Sequence, residues 1–203
     1  MKIAIALESR LCALAGPQGR RASPLRAFAP PWAFVFQSVK SAQSVDKTSA
    51  ESVTLRTRMK IAIGADHAGY QLKDSLKRLL DEMGVPYEDF GTNTGQSVDY
   101  PDFARMVAEG VAGGLFDRGI LVCGTGVGMA IAANKVDGVR SAAIVDTDTA
   151  KLSREHNDLN VLTLGARMLP ESRAREIVKT FLQTPFEGGR HSNRVQKIHA
   201  IEN

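Results

Sequence analysis

One stretch in the middle of the chain, residues 119–128, constrains the fold more than any other. It reads Gly-Ile-Leu-Val-Cys-Gly-Thr-Gly-Val-Gly, so an apolar strand ends at Cys123 and a glycine-rich turn leads into the helix-forming residues 129–133. A strand that passes through a glycine turn into a helix directs several unpaired backbone N–H groups to one point. Such a cradle binds an anion, either a phosphate group or the oxyanion of a reaction intermediate.

Cys123 lies at the edge of this cradle. A helix N-terminus favours the thiolate form of a cysteine, and a thiolate can act as a base or a nucleophile. A cysteine that ends an apolar strand is, however, more often a small buried hydrophobic residue than a catalyst. The segment by itself leaves both interpretations open.

The glycine spacing also bears on two other classes of site. The Rossmann fingerprint is G-x-G-x-x-G, normally at the first strand, with an acidic residue about 20 positions further on. This chain has G-x-G-x-G in mid-chain, followed near that offset by Asp146 and Asp148, so dinucleotide binding is disfavoured rather than excluded. A thiol phosphatase is disfavoured because its Cys-x5-Arg loop needs an arginine where Met129 stands.

The charge distribution divides the chain into two parts. Residues 1–58 carry 9 Lys/Arg and 3 Asp/Glu, a balance of +6, whereas residues 59–203 carry 17 and 19, a balance of −2. The second part therefore has no strong attraction for nucleic acid. No apolar run is long enough to span a bilayer, and Cys12 and Cys123 are too few for a disulfide framework. We expect no nucleic-acid or membrane partner and a reducing, cytoplasmic location.

The first 58 residues show little regular hydrophobic period. We expect an N-terminal extension over residues 1–58, which a transit peptide, a disordered leader or a start assigned too far upstream would each explain. Met59 and the following Lys-Ile-Ala-Ile-Gly read like a natural protein start, and residues 59–203 are expected to form the functional domain.

From Met59 onwards, short apolar strands alternate with helical patterns. Strands are expected at residues 60–63, 85–90, 119–123, 140–145 and 161–164. Helices are expected through Leu72 up to Gly84, after Pro101 up to Gly113, over residues 129–133, around residues 150–152, and from Pro170 to Leu182. Strands that alternate with helices predict an α/β fold with a doubly wound, five-stranded parallel sheet.

Polar residues adjoin these strands, and ligands gather at the carboxyl ends of strands in such sheets. Asp66 and His67 follow the first strand, and Cys123 begins the glycine turn after the third. His156 lies in the connection before the fifth strand, and His191 lies near the C-terminus. Three of the 4 histidines are thus in these segments, and we expect them to converge with the thiol at one edge of the sheet.

Arg190 and Arg194 are four residues apart, so a helix would place both guanidinium groups on one face. Paired arginines suit a phosphate monoester, which they bind through bidentate hydrogen bonds. A solvated helix face is the commoner position for such a pair, and the spacing alone does not decide between the two.

Six blocks of the sequence, taken in order, resemble ribose-5-phosphate isomerase type B. They are residues 64–69, 99–101, 123–128, 132–135, 154–158 and 187–191. The resemblance covers about residues 59–203 and extends to the wider group that includes the galactose-6-phosphate isomerases. It implies a Rossmann-like three-layer α/β/α sandwich. It also implies interconversion of ribose 5-phosphate and ribulose 5-phosphate through an enediolate, without a metal or another cofactor.

The resemblance also implies roles for individual residues. Cys123 takes the role of the base, which places this chain in the thiol branch of the family. Members of another branch carry a glutamate elsewhere for this task. Thr125 shuttles a proton between oxygens, and Asp66 and His156 open the sugar ring. The remaining substrate-binding residues are Gly124, Gly126 and Gly128 at the enediolate, Asn157 as a donor, Tyr100 at the pocket wall, His191, and His67, Arg190 and Arg194 at the phosphate. The family site lies at a dimer interface, which implies a homodimer or a dimer of dimers with shared active sites.

Two alternative functions stay open at this point. The same catalytic residues could serve a six-carbon sugar phosphate such as allose or galactose 6-phosphate. A phosphate- or nucleotide-binding module without chemistry would use the glycine turn and the arginines, but it has no use for a thiol together with Asp66 and His156.

Overall fold

Five parallel strands form a single sheet in the order β2-β1-β3-β5-β4. The computed structural model describes residues 59–202, and the expected extension over residues 1–58 lies outside them. The strands are β1 (Ile61–Ala65), β2 (Tyr87–Asp89), β3 (Arg118–Cys123), β4 (Ser141–Ala143) and β5 (Val161–Gly165). The predicted parallel five-stranded sheet is confirmed.

One helix lies between each pair of successive strands, and two further helices follow the last strand. They are α1 (Tyr70–Met83), α2 (Tyr100–Ala112), α3 (Val127–Ala133), α4 (Thr147–Asn157), α5 (Glu171–Gln183) and α6 (Arg190–His199). α1 ends at the predicted glycine, where Gly84 has φ +63° and its N–H bonds to carbonyls of the last turn. α4 is longer than the sequence pattern indicates, because the polar residues up to Asn157 form its last turn.

The second and fourth strands are shorter than expected. Each is an edge strand of the sheet and pairs with a single neighbour, β2 with β1 and β4 with β5. Pro86 has no N–H to donate to a ladder, and the pairing of β2 begins only at Tyr87. At the other side, Val145 is 56% exposed beyond the end of β4. At an edge strand, the apolar residues on either side of the paired segment make the predicted strand longer than the segment that pairs with its neighbour.

Each face of the sheet is covered by its own apolar core. Ile63 and Ile120 point to the face on which α1, α4 and α5 pack, and Phe181 of α5 is fully buried there. Ala62 and Leu121 point to the other face, against α2 and α3. Successive side chains alternate between the faces of a strand, so a strand buried on both faces reads as a continuous apolar run. The predicted three-layer α/β/α sandwich is confirmed.

None of the six helices in the described range is both long and apolar enough to cross a lipid bilayer.

A chain that starts at Met59 is expected to fold cooperatively, because the sheet and the helices on both of its faces lie within residues 59–202. Far-UV circular dichroism and urea unfolding of this shortened chain, compared with the full chain, test the expectation. Aggregation or a broad, non-cooperative transition would instead show that residues 1–58 take part in the fold.

Candidate active site

The thiol lies at the carboxyl end of the sheet, where all five strands finish. Cys123 is the last residue of β3, is only 5% exposed, and packs with the core beneath α2 and α3. The N–H of Gly126 donates to its Sγ at 3.2 Å. Gly126 has φ +81°, and a Cβ there would lie 3.0 Å from the carbonyl carbon of Leu164. The conformation that directs this N–H to the sulfur therefore requires glycine.

The rest of the glycine loop, residues 123–128, faces solvent and the start of α2. Thr125 is exposed, and its Oγ1 accepts a hydrogen bond from the N–H of Val127 at 3.4 Å. Tyr100 lies against Gly128 so closely that a Cβ there would be 2.8 Å from the tyrosine ring. Tyr100 and the glycine loop thus form neighbouring walls at this end of the sheet.

Asp66 and His67 follow β1 at the same end of the sheet. Asp66 is 5% exposed, and its Oδ1 accepts the N–H groups of Ala68 and Gly69 at 2.9 and 3.0 Å. Its own N–H donates to the carbonyl of Val122, the residue before Cys123. Nδ1 of His67 lies 3.3 Å from both the N and the O of Val98, so the backbone before α2 fixes the ring.

Arg167 completes this end of the sheet, although the sequence patterns did not single it out. It follows β5, and its N–H donates to the carbonyl of Gly124 at 3.0 Å. Its guanidinium lies 3.5 Å from the position that a Cβ on Gly124 would occupy. A cation therefore lies over the glycine loop. The sequence did offer one signal for Arg167: it comes two residues after an apolar strand, a position that lies at the carboxyl end of the sheet.

The other predicted site residues lie at the opposite end of the sheet, where the strands begin. α4 runs from the end of β4 back to the start of β5, so its last residues, His156 and Asn157, lie at this amino end. α6 begins next to them, since the N–H of Glu187 donates to the carbonyl of Glu155 at 3.1 Å. We call the following residues the amino-end cluster: His156, Asn157, Arg190, His191 and Arg194.

Within one chain, the expectation that three histidines converge with the thiol is therefore wrong. Only His67 shares the carboxyl end of the sheet with Cys123. Residues that come just before a parallel strand lie at its amino end, and a strand rises about 3.3 Å per residue, so five residues separate the two ends by about 15 Å. The predicted site residues form two half-sites on opposite ends of the sheet.

Two histidines stack at the centre of the amino-end cluster. The rings of His156 and His191 are parallel, with centroids 4.3 Å apart. His191 is buried, its Nε2 accepts a hydrogen bond from Nε of Arg190 at 3.3 Å, and its Nδ1 has no partner among the described residues. Burial, together with His156, Arg190 and Arg194, lowers the pKa of His191 below its ordinary value of 6.5. A neutral ring beside two arginines suits the binding of an anion.

Glu187 lies next to the amino-end cluster and, with two of its histidines, could donate to a metal ion. Ligand atoms of His156, Glu187 and His191 lie within 4.8 Å of one another. The lone pairs of two parallel, stacked rings lie in two separate parallel planes, whereas a metal needs donors that converge on one point. Arg190 also donates to Nε2 of His191 and brings positive charge. The cluster therefore fits an anion better than a cation.

Salt bridges hold the turn that carries His156 and Asn157. The next residue, Asp158, has φ +48°, and its carboxylate binds Nη2 of Arg140 at 2.9 Å and Nη1 of Arg154 at 2.8 Å. Arg140 also donates to the backbone carbonyls of Asn157 and Asp158. The end of α4, and with it His156, is fixed from two sides.

Comparison with known proteins gives a consistent result. A family model described as Ribose/Galactose Isomerase matches residues 61–198. Ribose-5-phosphate isomerase B of Escherichia coli (strain K12) is 49% identical over 143 residues, which are 70% of this chain and 96% of that protein. A solved structure of ribose-5-phosphate isomerase B from Clostridium thermocellum is 52% identical, with a TM-score of 0.70, over 71% of this chain and 97% of that one. A structure of the Mycoplasma genitalium protein of that name, with bound ribulose-5-phosphate, is 44% identical, with a TM-score of 0.68, over 70% and 95%.

The lowered pKa of His191 predicts a loss of stability in acid. The unfolded chain takes up a proton at this residue near pH 6.5, whereas the folded chain takes it up only at lower pH. The contribution of neutral His191 to the free energy of unfolding is therefore fully present above about pH 6.5. It is lost as the pH falls through that value towards the lower pKa of the folded state. His191→Asn should lose less stability than the unsubstituted chain between about pH 7.5 and 5.5, as measured by urea midpoints. Parallel losses in the two proteins would contradict the assignment.

Proposed function

The chain belongs to the ribose/galactose isomerase family, and from this premise we propose that it interconverts ribose 5-phosphate and ribulose 5-phosphate. The observation that carries the proposal is the thiol of Cys123, which a backbone N–H holds within a glycine loop, at the same end of the sheet as Asp66. The Escherichia coli relative is named for this activity, and the Mycoplasma genitalium structure contains ribulose-5-phosphate. An aldose–ketose isomerisation requires a base beside a site that stabilises an oxyanion.

Cys123 is the base in this proposal. Its thiolate takes the proton from C2 of the open-chain aldose. The electron pair of that C–H bond forms the C1–C2 double bond, and the π pair of the C1 carbonyl moves onto O1, which gives the enediolate. Return of the proton to C1 gives the ketose and regenerates the thiolate. Backbone N–H groups of the glycine loop, at Gly124, Gly126 and Gly128, stabilise the enediolate oxygen. The N–H of Gly126 is shared between this oxygen and the sulfur of Cys123. Thr125 is exposed beside them and moves a proton between the O1 and O2 oxygens.

The remaining residues open the sugar ring and hold the substrate. Asp66 and His156 take and give the protons of ring opening, with Asn157 as a donor. Tyr100, against the glycine loop, lines the pocket. His67, Arg190 and Arg194 bind the phosphate, and His191 supports this set through its contacts with His156 and Arg190. We add Arg167 to the cations at the site, since its guanidinium already lies over Gly124.

Two half-sites at opposite ends of the sheet can form a whole site only between two chains. We infer a homodimer with two-fold symmetry, in which the amino-end cluster of one subunit completes the glycine loop of its partner. Such an arrangement gives two shared sites per dimer, and a dimer of dimers would preserve them. Val127 and Ile131 of α3, next to the glycine loop, are 51% and 59% exposed, and apolar surface of this kind is typical of a subunit interface.

The proposed catalyst also indicates a compartment. A thiolate base works only while its sulfur stays reduced, and the cytoplasm keeps thiols reduced. We therefore propose a cytoplasmic location.

Cys123→Ala is expected to lower kcat with ribose 5-phosphate by about 10²- to 10⁴-fold, the usual contribution of a general base, while substrate still binds. Cys12→Ala is the matched control and should leave kcat unchanged. The assay is run in parallel with allose 6-phosphate, so that a preference for the six-carbon substrate would be detected. Turnover near that of the unsubstituted enzyme in Cys123→Ala would contradict the assignment of the base.

Mixing two inactive variants tests the shared site. In a dimer of Cys123→Ala and His156→Ala subunits, one site carries both substitutions and the other carries neither. After mild denaturation and random reassembly of an equal mixture, about a quarter of all sites should therefore be intact. Turnover per subunit should reach about a quarter of that of the unsubstituted enzyme. Each variant reassembled alone is the control. If the mixture stays as inactive as its components, the two half-sites do not meet across a dimer.

A further inference from the structure

Lys73 is a completely buried lysine of α1 to which the proposed reaction gives no role. Its Nζ donates to Oδ1 of Asp89 at 2.9 Å, to the carbonyl of Thr92 at 2.8 Å and to Oδ1 of Asn93 at 2.9 Å. All three protons of the ammonium group are therefore used. Burial of an ammonium group is costly unless its charge is paired, and Asp89 supplies the pairing charge.

Pairing with Asp89 does not by itself explain the position of Lys73. The Asp89 carboxylate also accepts hydrogen bonds from Nζ of Lys77 at 2.8 Å and from the N–H of Gly91 at 2.9 Å. Burial opposes the ionisation of Asp89, but the hydrogen bonds from both lysines and from Gly91 lower its pKa. Asp89 would thus keep a cationic partner without Lys73. The distinctive contacts of Lys73 are the two that it makes to the loop after β2.

That loop, residues 90–99, leads to two groups of the proposed site. It begins beside β1, where the N–H of Thr92 donates to the carbonyl of Ala65 at 3.0 Å. Near its other end, the backbone of Val98 holds Nδ1 of His67. It then enters α2 at Tyr100, whose ring lies against the glycine loop.

Between these contacts the loop is open to solvent. Residues 93–97 are all exposed, and the hydrogen bonds of Lys73 to Thr92 and Asn93 fasten the loop to the protein interior. The segment is therefore held by a buried ammonium group on one side and by the His67 ring on the other.

We propose that Lys73 is a positioning residue for substrate binding: it anchors the loop after β2 and so places His67 for the phosphate of the substrate. This inference rests on the proposed function, in which His67 binds that phosphate. Lys73 itself contacts no substrate, since it is buried inside the domain. Its effect passes through Thr92 and Asn93 to Val98.

Lys73→Met removes the ammonium group and keeps a side chain of similar length. Lys77→Met, one turn further along α1, is the matched control, because it removes a hydrogen bond to the same Asp89 but none to the loop. Asp89 keeps one lysine partner in either variant, so both proteins are expected to fold. Urea unfolding verifies this before any kinetic comparison.

The kinetic test separates positioning from stability. Lys73→Met should raise KM for ribose 5-phosphate about three- to tenfold, with kcat within about twofold, because the phosphate is held equally in the ground and transition states. Lys77→Met should leave both parameters unchanged. In a His67→Ala background, Lys73→Met should raise KM no further, since both changes remove the same interaction. An unchanged KM in Lys73→Met, or additive effects with His67→Ala, would overturn the proposal.

Amide hydrogen exchange provides a readout that does not depend on activity. Exchange of residues 92–98, followed by mass spectrometry, should be faster in Lys73→Met than in Lys77→Met or in the unsubstituted protein. If the unsubstituted protein fails to isomerise ribose 5-phosphate, the proposed function is wrong, and this comparison still decides whether Lys73 anchors the loop. Equal protection in all three proteins would overturn the anchoring.

Discussion

The parallel direction of all five strands determines where every functional group can lie. A parallel pair needs a crossover, so each helix between two strands must return the chain from the carboxyl end of the sheet to its amino end. Residues just after a strand, such as Asp66 and Arg167, therefore share one end with Cys123. Residues just before a strand, such as His156, lie at the other. The division of the site into two halves follows from strand direction alone.

Close backbone contacts make the carboxyl end rigid. A Cβ on Gly69 would lie 2.5 Å from the carbonyl oxygen of Val122, and a Cβ on Gly165 would lie 2.7 Å from the backbone of Thr125. The turns after β1 and β5 thus pack closely against the segment around Cys123 on two sides. N–H groups that are fixed before the substrate arrives do not have to reorganise as charge develops, and this is the main source of electrostatic catalysis.

Most of the fold was predictable because the apolar pattern of the sequence reflects burial directly. The fully buried strands β1, β3 and β5 were found to within one or two residues, whereas the side strands were overestimated. Lys73 was missed because a lysine is usually read as solvent-facing. It lies three residues before Leu76 and seven before Leu80, on the buried face of α1, so its position, unlike its residue type, did indicate burial. His156 was assigned to the wrong end of the sheet because sequence motifs do not record on which side of a crossover they lie.

In the proposed dimer, the separation of the half-sites connects assembly with catalysis. The arginines of one subunit hold the phosphate, and the thiol of its partner acts on C2. The phosphate and the reacting carbon can then be held together in one site only when both subunits are in place. A neutral His191 fits this arrangement, since protonation would add a further positive charge beside Arg190 and Arg194. The lowered pKa of His191 thus suits the proposed binding of an anion at neutral pH.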